Sequence, residues 1–138
     1  MRVILDTCIL NLATFPAENN ASALIYELAH AGLLKAWVTR AILEEYAEVI
    51  GDHAEFVAEI VESFRVCYPL TELSVIRHEP DNRFLECALA ANVEFIVTVN
   101  TAPGHFDRKH YHAVNVARPG EFLKVPDIAR LVKRLTRG

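Results

Sequence analysis

The first ten residues constrain this chain more than any other stretch. Arg2-Val3-Ile4-Leu5 is a short apolar run with β-branched members, and it stops at Asp6, with Thr7, Cys8, Ile9 and Leu10 following at once. Such a run reads as a buried parallel strand that ends at a carboxylate and turns into a helix. In an open parallel sheet the ligand crevice lies beyond the carboxyl ends of the strands. An acid at that point is a turn residue, a helix cap or part of a site. A similar arrangement of acids next to strand ends and helix starts recurs further along, which favours the third.

The rest of the chain continues the alternation. Asp6 to Leu12 begins a first helix, and a loop from Thr14 to Asn20 around Pro16 ends it. A helix starting at Asn20 or Ser22 carries Leu24, Ile25, Leu28 and Ala29 on one face and closes at Gly32. Lys35 to Val38 is a second strand, and Thr39 caps a helix from Arg40 to Val49. Gly51 breaks the chain, and Asp52 to Phe64 has apolar residues at helical spacing. Arg65 to Tyr68 is a third strand. Pro69 to Pro80 is a connector with extended character at Ser74 to Arg77, and Asp81 caps a helix from Asn82 to Ala91. Glu94 to Val99 gives the strongest strand signal, Ala113 to Val116 a fifth strand, Pro119 to Phe122 a helical turn and Val125 to Leu135 a last helix. Strands alternating with helices predict an α/β protein with a mostly parallel sheet of about five short strands and helices on both faces. The 138 residues show no repeat, linker or low-complexity stretch, so one domain is expected.

Composition narrows the class. Hydrophobic residues make up 52% of the chain and charged residues 23%, which argues for a folded core and against disorder. No apolar run reaches the ~18 residues of a membrane span, and the N-terminus enters a strand without a signal-peptide pattern, so a cytoplasmic protein is expected. Cys8, Cys67 and Cys87 are widely spaced with no CxxC, which argues against disulfides and a zinc knuckle. The net charge of −4 excludes attachment to nucleic acid by bulk charge. The charge is uneven, however: seven acids and no Lys or Arg lie between Ala41 and Phe64, and six bases against two acids lie between Arg118 and Gly138. These are two solvated helix faces, or the tail is a basic surface for an acidic partner or a phosphate backbone.

Asp6 after the first strand, Glu45 near the start of the helix after the second, and Asp81 at the helix leading into the fourth form a set, with Asn100 following the fourth strand. If strands one and four are neighbours, Asp6 and Asn100 line a crevice between them, and helix N-termini bring Glu45 and Asp81 to its rim. Crowded carboxylates repel unless a cation neutralises them. Hard oxygen ligands select Mg²⁺ or Mn²⁺ over zinc, and such a site can activate water against a phosphodiester. Each acid also has a plain structural reading: Asp81 as an N-cap, Glu45 on a solvated helix face, with Glu44 competing for any inward role. Thr98 is placed to hydrogen-bond Asp6 from the neighbouring strand. His105 suits loop stabilisation or a phosphate contact, His110 and His112 a strand surface, and Asp107 is a weaker acidic candidate. No Gly-rich phosphate loop, Ser nucleophile elbow or Cys–His pattern is present.

At these residues the chain resembles PIN-domain proteins. "VILDTCIL" resembles the family's opening, "AILEEYAEVI" the segment of its second acid, and "EPDNRFLECALAANVEFIVTVN" its third acid, the following helix and the fourth strand. "ARPGEFL" resembles the ending of the bacterial subgroup classed as toxins of toxin–antitoxin systems (VapC-like). The resemblance spans Arg2 to about Leu123 and implies a three-layer α/β/α sandwich with Mg²⁺- or Mn²⁺-dependent endoribonuclease activity. It implies Asp6, Glu45 and Asp81 as metal ligands, with Asn100 completing the catalytic set. RNA is then the substrate, and an antitoxin protein and a second copy of the chain are candidate partners. Asn100 stands where many members have a fourth Asp, and Cys8 where many have Asn. The rival readings are a catalytically weak PIN module that binds RNA or protein, and a flavodoxin-like domain that binds a small ligand at the same crevice.

Overall fold

Val3, Ile4 and Leu5 are wholly buried, as a strand with parallel neighbours on both sides requires. The computed structural model describes residues 1–15 and 20–137; most of the expected loop around Pro16 lies outside the described residues. The elements in order are β1 (Arg2–Leu5), α1 (Thr7–Ala13), α2 (Ala21–His30), β2 (Lys35–Val38), α3 (Arg40–Ile50), α4 (Ala54–Ser63), β3 (Arg65–Val66), α5 (Asp81–Ala90), β4 (Phe95–Val97), β5 (His110–Tyr111), β6 (Val114–Ala117), α6 (Pro119–Leu123) and α7 (Pro126–Arg137). The sheet runs β3-β2-β1-β4-β6-β5. It is parallel except for β5, which pairs antiparallel with β6. Helices flank it, giving the expected α/β/α arrangement.

β1 and β4 are neighbours, in register Val3↔Phe95, Ile4↔Ile96 and Leu5↔Val97. The chain leaves β1 toward β2 on one side and reaches β4 only after β3 and α5. The strand order therefore reverses between β1 and β4, where open α/β sheets place their crevice. α5 packs across β1, β2 and β4, burying Phe84, Leu85, Cys87 and Ala88. On β4, the Phe95 ring meets Phe122 of α6 edge-on, with centroids 5.3 Å apart. α7 buries Ile128 and leaves Arg130, Lys133, Arg134 and Arg137 exposed. Among the described residues no helix is long and apolar enough to cross a membrane.

Four details differ from the sequence reading. The sheet has six strands rather than about five, because a β5–β6 hairpin closes through His112 and Ala113, with His112 at φ 54°. Its turn lacks the Asn-Gly or Asp-Gly signal of a tight hairpin, and His112 lies in the turn, not on a strand face. β3 ends at Val66 rather than Tyr68: one further ladder bond runs from Cys67 N–H to the Val38 carbonyl at 2.9 Å, and Pro69 then has no N–H to offer. α4 starts at Ala54, with His53 at the cap position making no side-chain bond, so Asp52 does not start it. All three cysteines are free, although the Cys67 and Cys87 thiols touch at 3.2 Å between sulfurs.

Candidate metal centre

The β1–β4 and β4–β6 ladders each continue one step past the strands. The Asp6 N–H bonds the Val97 carbonyl at 3.0 Å, and the Thr98 N–H bonds the Ala117 carbonyl at 3.0 Å. Asp6 and Thr98 are thus held side by side at the mouth of the crevice. Asp6 is only 3% exposed. Its Oδ1 accepts from the Thr7 N–H at 2.7 Å and so caps α1. Its Oδ2 accepts from the Thr98 hydroxyl at 2.6 Å, with the Asn100 amide nitrogen 3.5 Å away. The Asn100 N–H in turn bonds the Thr98 oxygen at 2.9 Å. Helix cap and candidate ligand are therefore the same residue, its two carboxylate oxygens bonded to different donors.

Glu45 arrives from α3. Thr39 caps that helix through the Ile42 N–H at 3.2 Å, and the Tyr46 hydroxyl donates to the Leu5 carbonyl at the end of β1. With α3 tied there, Glu45 is half-buried and accepts from the Thr7 hydroxyl. Glu44 instead points to solvent and pairs with Arg40 at 3.4 Å. Glu45 is therefore the inward acid of the pair.

Asp81 is 3% exposed and differs from its expected role. Pro80 takes the N-cap position in an αR conformation, and Asp81 is the first residue of α5. Its carboxylate caps nothing. Oδ1 lies 3.2 Å from His78 Nδ1 and Oδ2 lies 3.0 Å from His105 Nδ1. The two imidazole rings lean on each other with centroids 4.5 Å apart. The His78 N–H bonds the Gly104 carbonyl at 2.8 Å, tying the two loops together. His78 did not stand out in the sequence; its only signal was a histidine three residues before an acid in "RHEPD". His105 and Asp81 both stand out in the sequence, but their pairing does not. Asp107 does not replace a fourth acid: its Oδ2 accepts from the Gly104 N–H at 3.3 Å and its Oδ1 faces the Tyr111 hydroxyl, so it shapes the loop.

The electrostatics join the three acids. Burial raises the Asp6 carboxyl above its ordinary value, the Thr98 hydrogen bond lowers it in part, and the charge of Asp81 raises it again. Glu45 is raised by burial, lowered by its bond from Thr7, raised by Asp6 and Asp81, and lowered by His78. Burial and the charge of Asp6 lift the Cys8 thiol to about 11, so it is a neutral neighbour at physiological pH. Among the described residues no Lys or Arg lies within ion-pair distance of Asp6, Glu45 or Asp81. Carboxylates gathered without Lys or Arg, with only the imidazoles of His78 and His105 against Asp81, form a donor set that a hard dication fits. A cavity of about 320 Å³ adjoins His105, walled by Arg77, Gly104, Arg108 and Tyr111.

A family model described as a PIN domain matches residues 2–102. No curated protein and no solved structure matches the chain.

Proposed function

The chain belongs to the PIN-domain family, whose members are generally metal-dependent nucleases, and from that premise we propose that it is an endoribonuclease using Mg²⁺ or Mn²⁺. The observation that supports this reading is that Asp6 and Glu45 both accept from Thr7 and both feel the charge of Asp81, while among the described residues no Lys or Arg pairs with any of the three. In this reading residues 1–138 act as one domain, and Asp6, Glu45 and Asp81 hold the ion. When bound there, a divalent ion would supply the positive charge that activates water and offsets charge building on the phosphodiester.

The protein's own groups do the rest. Thr98 fixes the Asp6 rotamer, and Thr7 holds Glu45 toward the crevice. Asn100 serves as a catalytic positioner: its N–H end faces Asp6, which leaves the amide oxygen free to orient a water. Arg77 and Arg108 on the adjoining cavity wall suit the phosphates of a single strand. Tyr68 and Leu70, exposed beside the edge strand β3, support a protein partner such as an antitoxin or a second copy. That surface is consistent with the toxin of a cytoplasmic toxin–antitoxin pair.

One observation favours a second reading. Asn100 brings no negative charge to the site, which suits a PIN module that binds RNA or protein with little cleavage. Incubation of labelled single-stranded RNA with the protein in Mg²⁺, Mn²⁺ or EDTA separates the two. Metal-dependent cleavage is expected, falling about 100-fold or more in Asp6→Asn, since even residues behind metal ligands cost 10–100-fold. Binding without cleavage in either metal would leave the second reading. Cleavage unchanged in Asp6→Asn would remove Asp6 from the site.

A further inference from the structure

We propose that His78, Asp81 and His105 form a second cation site, selective for a borderline transition metal such as Zn²⁺ or Co²⁺ rather than Mg²⁺. It rests on the nuclease reading only in that Asp81 belongs to both sites. Each residue offers one ligand atom, and these atoms all lie within 4.8 Å of one another. Tetrahedral ligands at 2.0–2.1 Å from an ion are about 3.3 Å apart. The imidazole-to-carboxylate distances, 3.2 Å from His78 to Oδ1 and 3.0 Å from His105 to Oδ2 of Asp81, are close to that spacing, and a small shift lets one carboxylate oxygen serve with both rings. Two imidazoles and one carboxylate make the donor set typical of zinc and of non-haem iron sites with open positions. Mg²⁺, which prefers oxygen and holds its water, is a poor match for it.

The site is also built in advance. His78 and His105 sit on different loops, yet the bond from the His78 N–H to the Gly104 carbonyl fixes one loop against the other. Gly104 takes φ +92°, a conformation that L side chains rarely adopt and glycine adopts freely. The Asp81 N–H bonds the His78 carbonyl at 3.0 Å, so the third ligand is set by the same turn. His105 also walls the arginine-lined cavity, so an ion held there has a route to an anionic ligand. His105 lies beyond the residues that the family model matches. His78 and Asp81 lie within them.

The test is Co²⁺ and Zn²⁺ binding by the full chain. Co²⁺ held by nitrogen ligands absorbs in the visible, and calorimetry gives the Zn²⁺ affinity. The wild type is expected to show the Co²⁺ band at one equivalent. Asp6→Asn should keep the band, because it leaves the trio intact. His78→Gln and His105→Gln should each weaken Zn²⁺ binding about tenfold or more, and the double variant should lose the band. An unchanged band in the double variant would overturn the proposal. NMR of the wild type keeps the question open to test even if that variant does not fold. One equivalent of Zn²⁺ should shift the ring signals of His78 and His105 while those of His30, His53, His110 and His112 stay. Shifts confined to the latter four would overturn it as surface binding. RNA cleavage without a histidine-dependent band refutes this site and leaves the nuclease reading standing. A histidine-dependent band in a protein that does not cleave RNA supports this site and counts against the nuclease.

Discussion

Asp6 receives two good hydrogen bonds, yet its carboxyl lies above the ordinary carboxylate range because burial and the charge of Asp81 outweigh them. The sign of the consequence follows from proton linkage. With a folded pKa above the unfolded value of 3.8, the folded state binds more protons than the unfolded one between the two values. Stability therefore falls as pH rises through that window. The groups facing Asp6 are Asp81, Glu45 and the neutral thiol of Cys8, and none supplies positive charge. Metal-free Asp6→Asn should accordingly melt above the wild type at neutral pH. The gap should narrow as the pH falls through the raised value and close below 3.8, where both side chains are neutral. Thermal scans of both proteins in EDTA at several pH values check this. A gap that does not change with pH would mean that Asn stabilises by packing or by its own hydrogen bonds, and that charge crowding is not the cause. Adding Mn²⁺ should reverse the order near neutral pH, because a ligand that binds only the folded state stabilises it by mass action.

At the scale of elements, α5 does more than carry Asp81. Asn82 is wholly buried. Its Oδ1 accepts from the Val75 and Ile76 N–H groups at 3.0 and 2.8 Å, and its amide nitrogen donates to the Ile76 carbonyl at 2.9 Å. One side chain thus pins the connector that presents His78. Asn82→Ala would leave those backbone groups unpaired, at a cost of about 1–3 kcal/mol for a buried group left without its partner. The loss should appear in urea unfolding. Proteolysis at Leu73 to Arg77 should also accelerate, and an unchanged cleavage rate there would show that the connector is held by other means. The same helix shows where sequence reasoning stops. Its apolar spacing gave the helix and its inward face. Asp before an apolar run also looks like a cap, and only the αR conformation of Pro80 moves Asp81 inside the helix and frees its carboxylate for two histidines. β1, β2 and β4 were legible because buried parallel strands are written as continuous apolar runs. β5 was not, because two residues closed by a His-Ala turn carry no periodicity to read.

For the whole molecule, the proposed site was legible as far as chain position decides it. Acids beside strand ends and helix starts converge once the strand order reverses between β1 and β4, and Glu45 is chosen over Glu44 by the tie from Tyr46 to β1. The histidine pair was not legible, because it joins two loops far apart in sequence through a carboxylate that belongs to a third element. The charge map raises a similar question about RNA. With a net charge of −4, the RNA binding proposed above would depend on a local cationic surface, and two are on offer: the cavity wall with Arg77 and Arg108, and the exposed bases of α7. The cavity adjoins the Asp81 cluster, and we expect it to be the surface used. Counterion release makes the choice measurable, since the logarithm of affinity for a single strand falls against the logarithm of salt with a slope of about −0.7 per phosphate neutralised. On an Asp6→Asn background that does not cleave, an RNA oligomer titrated in EDTA at several salt concentrations should lose about 0.7 of slope with Arg77→Gln and a similar amount with Arg108→Gln. Neutralising Arg130, Lys133 and Arg134 together should leave the slope as it was. The opposite pattern, with α7 setting the slope and the cavity arginines silent, would move the RNA to the other surface and separate binding from the Asp81 cluster.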